Sequence, residues 1–91
     1  MLPIQLPHNY TLGIEPITNR RFRIIVFKSG EELVCRRENL KQLRQFLDAD
    51  EAKAFKGRLQ LLKHGDDIAV EVKGELIGNI SKASLLANLM A

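Results

Sequence analysis

The sequence predicts an α+β fold: a small curled antiparallel β-sheet or partly open β-barrel with one or two central helices and a C-terminal helix. Three features predict it. Residues 66–80 alternate in the period-2 pattern of a half-buried strand, turn at Gly74 and return. Residues 20–37 do the same, with an apolar run, Ser29-Gly30 as punctuation and a second run. After each hairpin the apolar spacing becomes helical. Leu40, Leu43, Phe46 and Leu47 form one stripe, and Leu85, Leu86 and Leu89 another.

The second hairpin has two candidate registers. A three-residue loop, Lys73-Gly74-Glu75, sets Val72 opposite Leu76, Val70 opposite Gly78 and Ile68 opposite Ile80. A two-residue loop, Lys73-Gly74, sets Ile68 against Asn79 and Val72 against Glu75. Burying one apolar face selects the first, although Gly then sits at the loop centre instead of its end.

In chain order, residues 1–19 carry all three prolines and read as an extended arm ahead of a single α+β domain, residues 20–91. Leu2, Ile4, Leu6, Leu12, Ile14 and Ile17 are too apolar for a solvated tail. The arm is therefore expected to lie across the core or against a partner, with Leu2, Ile4 and Leu6 as a short edge strand. Residues 20–28 form a strand that is apolar on both faces at Ile24, Ile25, Val26 and Phe27, hence central or covered on both sides. Residues 32–37 return with Leu33 and Cys35 on one face.

Asn39 caps a helix, with Gln42 where a capping-box partner belongs. Asp48 and Glu51 are expected to cap a further helical turn carrying Ala52 and Phe55 to a stop at Gly57. One bent helix and two short ones both fit. Residues 58–64 are a strand with Leu59 and Leu61 on one face and Leu62 on the other, and residues 64–67 turn into the second hairpin. Ser81 caps the last helix, residues 82–90. No internal repeat is evident.

Composition narrows the function class. Ninety-one residues make one domain with a modest core. A single cysteine, Cys35, excludes an internal disulfide framework and suits a reducing compartment. No apolar run reaches the length of a signal peptide or a membrane span, so the expected location is cytoplasmic with no membrane partner. The net charge of +3 is uneven: residues 1–45 hold eight basic and four acidic side chains, residues 46–91 six and seven. That asymmetry fits a phosphate-binding face in the first half. With four Phe, one Tyr and no Trp, a broad aromatic platform for bases is not expected.

Catalytic chemistry finds few candidates. His8 and His64 stand alone, no metal-ligand spacing recurs, and Asp66-Asp67 reads as a turn, so no metal and no cofactor are expected. Cys35 with His64 would make a nucleophile and base, but a strand cysteine is more often a small buried hydrophobe. No catalytic residues are assigned. The basic clusters are more informative. Arg20, Arg21 and Arg23 meet Arg36 and Arg37 if the strands pair around Ser29-Gly30, and paired arginines hold phosphates in bidentate fashion. The plainer reading pairs them with Glu31, Glu32 and Glu38 or lays their stems over apolar surface.

Residues 57–91 resemble a HIRAN domain, the small β-barrel module of helicase-like transcription factors and of bacterial stand-alone proteins. Gly57-x-Leu59-x-Leu61, Asp67-Ile68-Ala69-Val70-x-Val72, Ile77-Gly78-Asn79-Ile80 and the helix residues 81–89 carry the resemblance. It implies nucleic-acid binding, and since the residues offer no triad an enzyme is not expected. The loop that in the family helps hold a free 3′ end is here His64-Gly65-Asp66-Asp67, without an aromatic. The expected function is a small nucleic-acid-binding module that neutralises phosphates of single-stranded or duplex DNA. Arg20, Arg21, Arg23, Arg36 and Arg37 carry it, with Lys63 and Lys82 at the mouth of the barrel. The alternative is a phage- or plasmid-borne interaction domain that docks on a protein partner, or on itself, through the arm or a sheet edge.

Overall fold

Two antiparallel meanders, each followed by a helix, build the protein in the computed structural model, which describes residues 4–54 and 57–90, with Glu51, Leu89 and Met90 for their backbone alone. The strands β1 (Ile4–Gln5), β2 (Tyr10–Pro16), β3 (Arg21–Lys28) and β4 (Glu31–Asn39) form the first sheet in that order, and α1 (Leu40–Asp48) follows. The second sheet runs β5 (Glu51–Ala54), β6 (Leu59–His64), β7 (Asp67–Val72) and β8 (Glu75–Ser81), and α2 (Lys82–Met90) follows. This is the expected α+β class, realised as two open sheets and not as a closed barrel.

The inward faces of both sheets share one core. Leu12, Ile24 and Val26 of the first sheet, Leu61, Ile68 and Val70 of the second, and Leu43 and Leu85 of the helices are all fully buried in it. The first nineteen residues, read as an arm, supply β1 and β2. β2 pairs with β3 along its whole length, from Tyr10 opposite Lys28 to Pro16 opposite Phe22. Leu6, Leu12 and Ile14 are buried, Ile17 is exposed, and Leu2 lies outside the described residues. Proline is accommodated because Pro7 stays out of the ladder and Pro16 ends β2; Pro3 lies outside the described residues.

The second hairpin combines the two registers that the sequence offers. Its tip is a two-residue loop: Lys73 (φ 54°) and Gly74 (φ 80°) take the two left-handed positions of a type I′ turn, with Val72 opposite Glu75. A bulge between Val70 and Glu71 then takes up one residue, and Val70 meets Gly78 and Ile68 meets Ile80. Turn geometry fixes the tip and core burial fixes the rest. Ile77 is buried where Leu76 was expected, and Leu76 is 58% exposed.

The first hairpin repeats this solution. Ser29 (φ 52°) and Gly30 (φ 84°) form its turn, and the register shifts between Val26 and Phe27. Beyond the bulge Val34 turns inward opposite Val26, so Cys35 points outward and is exposed, contrary to its reading as a buried residue. Both helix caps match expectation: Asn39 Oδ1 accepts from Lys41 N–H at 2.7 Å, and Ser81 Oγ from Ser84 N–H at 3.0 Å. The second helical turn expected after Asp48 is instead β5, in register with β6, so among the described residues α1 is the one central helix. Ala52 and Ala54 alternate as half-buried strand residues, which their i, i+2 spacing allows as readily as a helical one. Phe55 lies outside the described residues.

A repeat invisible in the sequence emerges. Both halves are ββββα, with the same I′ turn and the same bulge in the third-to-fourth strand hairpin. Two backbone bonds recur as well. Ser29 N–H donates to Asn9 O (2.9 Å) as Lys73 N–H does to Arg58 O (2.6 Å), and Leu40 N–H donates to Arg20 O (2.8 Å) as Lys82 N–H does to Asp66 O (2.9 Å). The halves differ in length at that second bond. Below the bulge the first hairpin has two more pairs, Phe22 with Glu38 and Arg21 with Asn39, than the second.

Candidate nucleic-acid interface

The extra two pairs extend the first sheet at the end where its basic residues collect. β3 and β4 set Arg23 directly opposite Arg37 and Ile24 opposite Arg36. Strand alternation puts Arg21, Arg23 and Arg37 on the outer face and Arg36 on the inner one, beside Val34. The loop before β3 is fixed by Thr18, whose Oγ1 accepts from the N–H groups of Arg20 and Arg21, each at 3.2 Å. The carbonyl of Arg20 accepts from Leu40 N–H and ties this loop to the start of α1.

Two of these arginines are committed locally. Arg23 Nη2 donates to Glu15 Oε2 at 3.0 Å, and this hydrogen bond raises the guanidinium pKa further above its already high range. That pair also relieves Arg23 from facing Arg37, a like charge directly across the ladder. Arg36 Nε donates to Glu38 Oε1 at 2.7 Å, with both side chains on the inner face. Arg20, Arg21 and Arg37 are exposed and have no ion-pair partner among the described residues.

Lys63 is a correction. It was expected at a barrel mouth, but it is 6% exposed and its ammonium donates to the carbonyl of Ala49, just past the last turn of α1. Leu59, Leu61 and Lys63 share the inward face of β6, and the long side chain reaches across to satisfy a helix-end carbonyl. No phosphate reaches an ammonium so placed. Lys82 is half-buried at the start of α2, beside Asp66, whose carbonyl its N–H meets, and therefore belongs to the other half of the protein.

The structure adds residues that the sequence reading passes over. Asn19, Arg20, Asn39, Leu40, Lys41 and Arg44 line an open depression of about 380 Å³. Lys41 and Arg44 are exposed, three residues apart on α1 and off its Leu40, Leu43, Leu47 stripe. That i, i+3 spacing next to the arginine strand is the signal that points to them. No helix of the described residues is long and apolar enough to cross a membrane. Comparison with protein-family models, curated proteins and solved structures finds no match.

Proposed function

We propose that the protein is a small nucleic-acid-binding module that holds phosphates on the basic end of its first sheet. The observation that carries the reading is the convergence of Arg20, Arg21 and Arg37 with Lys41 and Arg44, none of them ion-paired among the described residues. Glu15 and Glu38, the acidic groups of this end, are already taken by Arg23 and Arg36. Uncompensated cations gathered on one surface repel one another, and a polyanion relieves that repulsion by displacing its own condensed counterions. The mechanism is backbone neutralisation by side chains, and the HIRAN resemblance of residues 57–91 favours the same class of partner. Docking of a protein through the N-terminal arm is the less favoured reading, since Leu6, Leu12 and Ile14 lie in the chain's own core.

Fluorescence anisotropy with a labelled oligonucleotide tests the reading. Binding should weaken steeply with salt, with a log–log slope of about −0.7 for each single-strand phosphate contacted or about −0.9 for duplex. Absence of binding at low salt and micromolar protein rejects it.

A further inference from the structure

The internal duplication supplies a control within the molecule. The loop-to-helix bond that places Arg20 beside α1 in the first half places Asp66 beside α2 in the second. Next in line, Arg21 opposite Asn39 corresponds to Asp67 opposite Ser81. Two residues past each cap stand Lys41 and Ala83, and five past it Arg44 and Leu86. At these four positions the first half carries four cations and the second two carboxylates with two apolar residues, while the helix-start position held by Leu40 in the first half is the half-buried Lys82 in the second. Core packing does not demand this difference. Arg20, Arg21, Lys41, Arg44, Asp66 and Asp67 are all exposed, while Leu86 packs partly against the core.

We infer that the depression formed by Arg20, Lys41 and Arg44 with Asn19 and Asn39 is the anchoring phosphate subsite of the protein, and that the second half has none. The inference rests on the nucleic-acid reading and assigns where that binding is centred. The site is built from side chains. The first N–H groups of α1 are already engaged, Leu40 with Arg20 O and Lys41 with Asn39 Oδ1, so the helix end itself offers little. Three cations around one concavity suit a group of compact negative charge that takes several charge-assisted hydrogen bonds at once. Arg21 and Arg37, on the adjoining outer face, extend the basic track to the next phosphates. At the corresponding place in the second half, Asp66 and Asp67 repel the same strand, so one protein molecule takes one strand.

The test is a salt titration of binding to a labelled short oligodeoxythymidylate by the intact protein, the triple variant Arg20→Ala/Lys41→Ala/Arg44→Ala, and Lys53→Ala on the second sheet as control. All four side chains are exposed, and unchanged melting confirms that each variant is folded. Loss of three contacts should flatten the slope by about 2 and weaken binding at low salt by about tenfold or more, while Lys53→Ala stays within about twofold. A triple variant that binds with wild-type slope and affinity overturns the subsite and leaves the nucleic-acid reading standing. Failure of the wild-type protein to bind overturns both. The same oligonucleotide with and without a 5′-phosphate separates the two sources of the anion. Equal affinity assigns the subsite to a backbone phosphate, and a gain that disappears in the triple variant assigns it to a terminal one.

Discussion

Val70→Asp is expected to unfold the protein. Val70 is fully buried at the centre of β7, between Leu61 on β6 and Gly78 on β8, where the two sheets share their core. A carboxylate there has no partner and cannot reach water, so it costs several kcal/mol. A domain of this size has only roughly 5–15 kcal/mol to lose. Circular dichroism should show loss of the cooperative transition, or melting lowered by tens of degrees. Glu71→Ala, one residue along and on the opposite face, should melt within a few degrees of wild type. A Val70→Asp protein that melts like wild type would mean that the inward face of β7 is misassigned.

Deleting residues 1–19 is expected to be as damaging. The deletion removes β1 and β2 and with them Leu6, Leu12 and Ile14, each almost wholly buried. At about 1.5–3 kcal/mol for each large aliphatic side chain, the lost burial alone is comparable with the whole stability. It also strips β3 of its seven-residue pairing with β2 and exposes an apolar edge. The second sheet suffers too: Pro7 and Leu6 lie against Gly78, whose absent Cβ would stand 3.0 and 3.1 Å from their side-chain atoms. Hydrogen exchange should find slow amides in the intact β2 and general loss of protection after deletion. A truncated protein that keeps its melting temperature would contradict the internal packing of this segment.

Both hairpins were legible because alternation and X-Gly turns are local signals. Their bulges were not. In the second hairpin each loop length satisfies one requirement, and only the fold shows that the turn takes one and the core the other. The strand β5 escaped because Ala52 and Phe55 are spaced to suit a helix, while its pairing with β6 is a non-local fact. The duplication escaped for a related reason. What repeats is backbone, the turns at Ser29-Gly30 and Lys73-Gly74 and the bulges below them, while the facing side chains diverge, Val34 against Gly78 and Arg36 against Ile80.

At the candidate site, strand pairing was enough to bring Arg23 opposite Arg37, with Arg21 on the same outer face, whereas Arg36 falls on the inner face opposite Ile24. It could not show that Arg23 and Arg36 are engaged by carboxylates. Lys63 was misplaced although the alternation with Leu59 and Leu61 already sets it on the inward face. A lysine inside a small core is credible only once a partner such as the Ala49 carbonyl is in view. Lys41 and Arg44 join the site through the bond between Leu40 N–H and Arg20 O, which no sequence pattern announces.

The most direct test of a phosphate-binding surface confined to the first half is an amide chemical-shift map of the intact protein titrated with a short oligonucleotide at low salt. Shifts concentrated on residues 18–21 and 37–44, with residues 66–67 and 81–86 unmoved, are the predicted result. Shifts centred on the second half, or none on the first, would contradict it.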